Sequence, residues 1–314
     1  YIGFFLSAES PESFVGQGKL WDLTGNPLSL FYQSVVHKFT ENYHIYFFFP
    51  AFLSSFAVVK LLKRYSVSPA LSLVVFFSIG TYIMYVAALK QCFAMFFLLM
   101  SIPYAEEKKY VKFYILVFVA ILFHTHAFMF AIVPFLFEKP WGKITWGLLA
   151  LTIFAMATYN ITFGAFMNYA QSIGAMAAES EIFDGHQINL LRVLVYWVPA
   201  FLTIAFRRRL FSNSNRAENL FANMSIVSAF ILTIGLVEGA NLYARMAAYF
   251  EIATAIALPW MVKKLFTKRS AQFVAATAIL LYFIYFLYEF GISKNFGREY
   301  SAISLRQFIQ SLFA

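Results

Sequence analysis

Long apolar stretches with almost no charged residues alternate with short basic loops along most of this chain. A helix that spans a membrane needs about 20 predominantly apolar residues, and it satisfies its own backbone hydrogen bonds in lipid. The pattern therefore predicts a series of transmembrane helices. The predicted spans cover residues 43–62, 67–86, 88–104, 142–159, 189–206, 219–237, 242–262 and 272–290.

One further apolar run, residues 111–137, is interrupted by His124 and His126. Ionisable side chains inside a bilayer are unfavourable and usually face a cavity, so the histidine pair is a candidate functional site. The alternative interpretation is structural, with each histidine hydrogen-bonded between packed helices.

The positions of the basic loops decide how residues 111–137 are arranged, because Lys and Arg concentrate in cytoplasmic loops. A single span would place the triple arginine of residues 207–209 on the outer face, whereas two shorter passes return it to the cytoplasm. Residues two apart on a helix also point about 200° apart, so the histidines can share a pocket only where the helix ends or turns. We therefore predict a helical hairpin with a break at His124 to His126 and its apex near the outer face.

The remaining segments are more polar. Residues 1–42 predict an outer-face loop with one short interfacial helix at about residues 27–39, ahead of a transmembrane helical domain at residues 43–290. That domain contains an outer acidic loop at residues 160–187, and residues 291–314 form an amphipathic C-terminal tail. Because the sequence opens without an initiator methionine or a hydrophobic signal, we expect a further N-terminal span to precede it.

The composition agrees with a membrane protein, since 61% of the residues are hydrophobic and only 12% are charged. We therefore expect an all-α polytopic integral membrane protein of about ten helical segments, with the lipid bilayer as its surroundings. The formal charge of +9 does not indicate a nucleic-acid partner, because Lys and Arg lie in the loops rather than on a continuous basic face.

Several polar residues fall on the same predicted outer side as the histidines. Four of them, at positions 238, 241, 245 and 249, are spaced three, four and four along the chain. This spacing places them on one face of the helix predicted at residues 242–262. Snorkelling or a structural salt bridge explains each cation taken singly, with Glu238 as a partner for Arg245, but three cations at one cavity mouth favour an anionic ligand. The full set is Lys90, Gln91, Arg192, Glu238, Asn241, Arg245 and Tyr249.

Clustered cations suit a phosphate or pyrophosphate, which Arg holds through paired charge-assisted hydrogen bonds. Histidine can accept a proton near neutral pH, as a general base must. We expect no metal ion, because His124 and His126 lack an evident third ligand and the acidic side chains of the loop at residues 160–187 are expected to face solvent. Tyrosines near the predicted outer face could stack on sugar rings, although an aromatic belt at the membrane surface is the favoured interpretation.

Three short motifs resemble those of the EpsG family of exopolysaccharide polymerases. Residues 89–94, LKQCFA, resemble the family's LRQxxA; residues 123–127, FHTHA, resemble FHxSA; and residues 245–250, RMAAYF, resemble RxxxYF. Two positions depart from the family. Lys90 replaces Arg, which keeps the charge but loses the guanidinium fork. His126 replaces Ser, which leaves open which histidine acts.

The resemblance implies a Wzy-type polymerase in the bacterial cytoplasmic membrane, with its active site facing the exterior. Its substrate would be a polyprenyl-pyrophosphate-linked oligosaccharide, and a chain-length regulator protein is an additional candidate partner. No nucleotide or metal cofactor is expected, because the lipid pyrophosphate is itself an activated leaving group.

The resemblance also implies roles for individual residues. His124 would act as general base or orient the acceptor, with His126 as the alternative and Asp22 of the N-terminal loop as a second candidate base. The groups expected to neutralise the leaving pyrophosphate are Lys90, Arg192 and Arg245. The remaining candidate contacts to the substrate are Gln91, Glu238, Asn241 and Tyr249.

Two other functions would use a similar arrangement of groups. A polyprenyl-linked oligosaccharide flippase also needs a cationic cavity, but such transporters usually show internal duplication and gated access from both sides. An O-antigen-ligase-like glycan transferase performs the same displacement on a different acceptor. The sequence does not separate that ligase from a polymerase.

Overall fold

The computed structural model describes residues 2–23, 25–161, 164, 165, 168 and 186–292, and every regular element within them is helical. The protein is therefore an all-α membrane protein, as the sequence predicts. The acidic residues of the loop at 160–187 and the amphipathic segment of the tail at 291–314 lie outside the described residues.

The N-terminal segment is more helical than the single interfacial helix that we expected. Helix α3, Pro27–Phe39, occupies the expected position. Before it lie two short helices, α1 and α2, and one turn of 3-10 helix, and Ser10 caps α2 by accepting a hydrogen bond from the backbone of Ser13. Their bounds are Ile2–Leu6 for α1, Pro11–Gly16 for α2 and Lys19–Trp21 for the 3-10 turn.

Helices occupy each predicted span. In the first half of the chain they are α4 Tyr43–Tyr65, α5 Pro69–Ser78, α6 Thr81–Ala87, α7 Leu89–Glu106 and α8 Tyr110–Phe123, followed by a 3-10 helix, Thr125–Phe137. In the second half they are α9 Lys143–Ala157, α10 Leu190–Ala205, α11 Arg207–Phe211, α12 Arg216–Ile234, α13 Ala240–Leu265 and α14 Lys268–Leu287. Among the described residues, three helices are long and apolar enough to cross a membrane: α4, α12 and α14.

The predicted single span at residues 67–86 is wrong in one respect, because it is divided into α5 and α6. Gly80 lies between them with a φ of 79°, in the left-handed region. Glycine adopts that conformation without the steric penalty of a Cβ, and so it ends α5 and redirects the chain. The apolar composition on both sides conceals this turn in the sequence.

The predicted helical hairpin with a break at His124 to His126 is confirmed. Helix α8 ends at Phe123, His124 has extended backbone angles, and the 3-10 helix starts at the next residue. The two arms run side by side, since the Phe113 and Phe130 rings lie 6.4 Å apart and Tyr114 donates a hydrogen bond to the carbonyl of Ala131. With rises of about 1.5 and 2.0 Å per residue, the arms are roughly 21 and 26 Å long. Both are shorter than the hydrocarbon core of about 30 Å, as expected for two short passes.

The basic loops gather at one end of the helical bundle. Arg64 at the end of α4 contacts Glu106 at the end of α7, with an N···O distance of 3.2 Å. Lys264 near the end of α13 lies 3.8 Å from Glu218 near the start of α12. The guanidinium of Arg216 stacks on the last residue of the 3-10 helix, 4.4 Å from the centre of its ring. Helix α8 begins at this end of the bundle and the 3-10 helix ends at it, so the histidine break between them lies at the opposite end.

Helices α12 and α13 form the centre of the bundle and pack against each other more extensively than any other described pair. Most of their side chains are buried. Small residues such as Ala222, Ala229, Ala247 and Ala248 are fully buried, and they allow helix backbones to approach closely in a membrane protein. The site residues carried by α13 therefore stand on the most firmly packed element of the fold.

Candidate active site

The break in the hairpin places His124 against the central helix α13. The ring of Phe123 stacks on Phe93 and Phe97 of α7, at centroid distances of 4.7 and 5.5 Å, which holds the end of α8 in place. The extended backbone of His124 then directs its ring toward Tyr249. The Nδ1 atom of His124 and the hydroxyl of Tyr249 are 2.5 Å apart, and the whole Tyr249 side chain is buried. This hydrogen bond joins the hairpin apex to α13.

His126 lies beside His124, with 5.0 Å between the ring centroids and 59° between the ring planes. The break in the helix therefore lets the two rings lie side by side. The two rings are held differently. The Nδ1 atom of His126 is buried and has no hydrogen-bond partner among the described residues, whereas that of His124 is bonded to Tyr249. Of the two, His124 is the ring whose orientation the protein fixes.

Two cations act on this pair. The charge of Arg245 acts on both histidine rings, and the charge of Lys90 acts on that of His124. Both cationic side chains are partly exposed. The structure therefore brings two of the three predicted cations together with the histidines. A proton acceptor and positive charge meet at one site, as a reaction with an anionic leaving group requires.

Gln91 has a structural contact that the sequence did not indicate. Its side chain is fully buried, and its Nε2 donates a 2.8 Å hydrogen bond to the backbone carbonyl of Arg245. This bond fixes the start of α7 to the first turns of α13. Gln91 therefore holds Lys90 and Arg245 in register with each other. Two of the motifs noted in the sequence, separated by about 150 residues, are joined through it.

Asn26 is a contact of the site that sequence reasoning missed. Its Oδ1 accepts hydrogen bonds from the backbone N–H and the hydroxyl of Thr125, at 2.8 and 3.1 Å. Asn26 itself has a φ of 57°, in the left-handed region that asparagine tolerates better than most residues. Thr125 stands between the two histidines, so the N-terminal segment is fastened directly to the break. The dipeptide Asn26–Pro27 is the only sequence signal, and it marks a helix start rather than a contact.

Arg192 lies on a different side of α13. Its guanidinium is 3.7 Å from the carboxylate of Glu251, a fully buried residue that also accepts a 3.2 Å hydrogen bond from the hydroxyl of Thr81. Glu251 follows Tyr249 by two positions on the helix and so points about 200° away from it. The structure thus does not group Arg192 with the histidines. The sequence signal for this pair was Glu251 itself, because an acidic residue within an apolar span usually pairs with another intramembrane charge such as Arg192.

Glu238 does not share the helical face of Arg245 that the spacing predicts, whereas Asn241, one turn before Arg245 in α13, does. Helix α13 begins at Ala240, and Gly239 before it has a φ of 73°, so Glu238 lies in the preceding turn. The spacing predicts a shared face for Glu238 only if the helix begins before this residue, and α13 begins after it. Asn241 is the second residue of α13, and its side chain is exposed.

Asp22 stands apart from the histidine cluster. It lies in a turn that is closed by a 3.2 Å hydrogen bond from the backbone N–H of Gly25 to its carbonyl. Its side chain is exposed and lines a cavity of about 530 Å³ formed by the N-terminal elements. The hydrogen bonds from Thr125 to Asn26 connect this region to the histidines.

Comparisons with known proteins agree with the motif resemblance. A protein-family model described as the EpsG family matches residues 1–302, a range that includes every residue of the histidine cluster. No curated protein and no solved structure matches the chain. Within the described residues, no group of three or more His, Cys, Asp or Glu side chains is placed to hold a metal ion.

Proposed function

We propose, on the premise that this chain belongs to the EpsG family, that the protein joins polyprenyl-pyrophosphate-linked oligosaccharides into a polysaccharide. Family membership suggests a polysaccharide polymerase-type enzyme. The observation that carries the finer proposal is the meeting of three separate elements at one place. The hairpin apex supplies His124, the start of α7 supplies Lys90, and α13 supplies Arg245 and Tyr249.

The proposed reaction is a displacement at an anomeric carbon. A sugar hydroxyl at the non-reducing end of one repeat unit attacks the carbon that carries the polyprenyl pyrophosphate of the growing chain. His124 accepts the hydroxyl proton as the new glycosidic bond forms. The bond between that carbon and the pyrophosphate oxygen breaks, and the electron pair leaves with the pyrophosphate. Lys90 and Arg245 stabilise the negative charge that develops there.

The hydrogen bond to Tyr249 supports His124 as the base. A neutral histidine carries a proton on one ring nitrogen and a lone pair on the other. If the Nδ1 proton is donated to the Tyr249 oxygen, the lone pair lies on Nε2, where it can accept the proton of the acceptor hydroxyl. A partner on one nitrogen commonly sets the role of the other. His126 lacks such a partner among the described residues, which makes it the second choice.

The proposed location of this site is the outer face of the bacterial cytoplasmic membrane. The basic loops and the histidines lie at opposite ends of the bundle, and basic loops favour the cytoplasmic side. Lipid-linked repeat units would then be polymerised outside the cytoplasm, without a nucleotide.

The proposal is tested with the full-length protein in lipid nanodiscs and its host's lipid-linked repeat unit. The expected result is a ladder of glycan products without added nucleotide. Loss of a general base typically reduces the rate by about 10²- to 10⁴-fold, so His124→Ala should remove the ladder. His186→Ala is a matched control, because the side chain of His186 is exposed and lies outside the cluster.

Three outcomes would contradict parts of the proposal. An unchanged ladder in both His124→Ala and His126→Ala would exclude the histidines as bases, and loss of activity in Asp22→Asn alone would move that role to Asp22. Folded wild-type protein that forms no ladder, yet transfers glycan to an added foreign acceptor, would be a ligase instead of a polymerase. Lipid translocation without transfer would indicate a flippase.

A further inference from the structure

The cavity under the N-terminal elements is separate from the histidine cluster and has the size of a ligand site. Its volume of about 530 Å³ falls within the range of roughly 300–1,000 Å³ that is typical of small-molecule pockets. Helices α1, α2 and α3 and the loops between them form its walls. The side chains relevant to binding are Phe4, Ser7, Glu9, Lys19, Asp22 and Gln33.

The charge of this lining differs from that of the histidine site. Lys19 forms an ion pair with Glu9, and Gln17 donates a further hydrogen bond to the same carboxylate at 3.2 Å. The hydrogen bond from Lys19 lowers the pKa of Glu9, so this carboxylate stays ionised at neutral pH. With Asp22 as the second acid, the lining carries two negative charges and one positive charge. It therefore disfavours an anion such as pyrophosphate.

The same lining offers what an uncharged sugar needs. Each sugar hydroxyl both donates and accepts hydrogen bonds, and the cavity presents two carboxylates that accept and an ammonium that donates, while the amide of Gln33 is bonded to the carbonyl of Phe4. Phe4 lies at the edge of the cavity with 75% of its surface exposed, so an apolar ring is available for a sugar face. Convergent polar groups beside an apolar surface are the usual composition of such pockets.

The cavity is also connected to the histidines through the backbone. Gly25 belongs to its wall, and the next residue, Asn26, accepts both hydrogen bonds from Thr125. Thr125 in turn lies between the two histidines. The cavity wall at Gly25 is therefore adjacent along the chain to Asn26, the residue that fastens the N-terminal segment to the break in the hairpin.

We propose that this cavity binds the uncharged sugars of the acceptor repeat unit, as a glycan subsite that is connected to the histidine cluster through Asn26. This identification of the ligand rests on the proposed polymerase function. The division of charge then matches the two halves of the reaction: the cationic cluster takes the pyrophosphate of the donor, and the weakly acidic cavity takes the uncharged sugars of the acceptor.

Gly25 offers a sharp test of the cavity. A Cβ placed on Gly25 would lie 2.9 Å from Oδ2 of Asp22, so Gly25→Ala must displace that carboxylate. Gly16→Ala is the matched control, since a Cβ there has no heavy atom within 4 Å. Asp22→Asn removes the negative charge at nearly constant size.

The experiment measures binding apart from catalysis. The probe is the oligosaccharide released by mild acid from the host's lipid-linked repeat unit, titrated into full-length protein in nanodiscs. Because a hydrogen bond to a charged group is lost, Gly25→Ala and Asp22→Asn should each weaken binding about tenfold or more. Gly16→Ala and His124→Ala should bind as the wild type does. In the polymerisation assay, Gly25→Ala should raise the KM for acceptor more than it lowers kcat.

Failure of this inference can be told from failure of the polymerase proposal. Equal binding in wild type, Gly25→Ala and Asp22→Asn would place the sugar elsewhere and overturn the subsite, even if the ladder forms normally. No binding to the folded wild type would also overturn it. Binding that follows the expected pattern without any ladder would keep the subsite and refute the polymerase.

Discussion

Replacement of Tyr249 by Phe tests whether the fixed orientation of His124 matters to the reaction. The change removes one hydroxyl, which lies 2.5 Å from Nδ1 of His124, and keeps the buried aromatic ring. The ring of His124 then loses the partner that sets which nitrogen carries the proton. Tyr249 contacts His124, the proposed base, so its expected role is to position that ring.

The expected magnitude follows from the hydrogen bond that is lost. A buried polar group left without its partner costs about 1–3 kcal/mol. With about 1.4 kcal/mol for each factor of ten, the turnover rate of Tyr249→Phe should fall roughly 5- to 150-fold. This loss is smaller than that expected for His124→Ala, because the base itself remains present.

The assay is polymerisation of the lipid-linked repeat unit in nanodiscs, with kcat and KM measured separately. Loss of orientation should lower kcat with little change in KM. Tyr282→Phe is the matched control, because the hydroxyl of Tyr282 is buried in α14 without a hydrogen-bond partner among the described residues. It should change the rate by less than about twofold. A Tyr249→Phe protein with wild-type kcat would refute the orienting role.

Two further predictions concern contacts that hold the site together. Asn26→Ala removes both hydrogen bonds to Thr125, so hydrogen–deuterium exchange should speed up in residues 124–128; unchanged exchange there would contradict the fastening role. Glu251→Ala leaves the buried charge of Arg192 without this carboxylate and should destabilise the protein by about 3–5 kcal/mol, seen as a lower unfolding temperature in detergent. The double variant Arg192→Met with Glu251→Leu should recover much of that loss, and a double variant as unstable as Glu251→Ala would contradict this explanation.

The hairpin was predictable because two constraints act on it together. The positive charge of residues 207–209 favours the cytoplasmic side of the membrane, which requires two passes between residues 111 and 137. The spacing of His124 and His126 requires a break in the helix if the two rings are to be neighbours. Neither constraint depends on detailed packing. For the same reason, the grouping of the histidines with Lys90 and Arg245 could be expected from topology alone.

Contacts between distant segments were not predictable in this way. The partner of Arg192 is Glu251, and spacing along the chain carries no information about such a pair. The link from Asn26 to Thr125 depends on how the N-terminal helices fold back on the bundle. Gly80 is a third case, since a single glycine in an apolar run is compatible with both a continuous helix and a turn.

The beginnings of α7 and α13 have an electrostatic consequence of their own. Both helices start at the end of the bundle that carries the histidines, with Lys90 as the second residue of α7 and Arg245 in the second turn of α13. The aligned peptide dipoles of a helix place about half a positive charge at its N-terminus, where a cationic side chain is unfavourable. Lys90, which lies in the first turn of α7, is therefore held against the preference of its own helix. The phosphate that we propose to bind there would relieve this repulsion and so stabilise the folded protein.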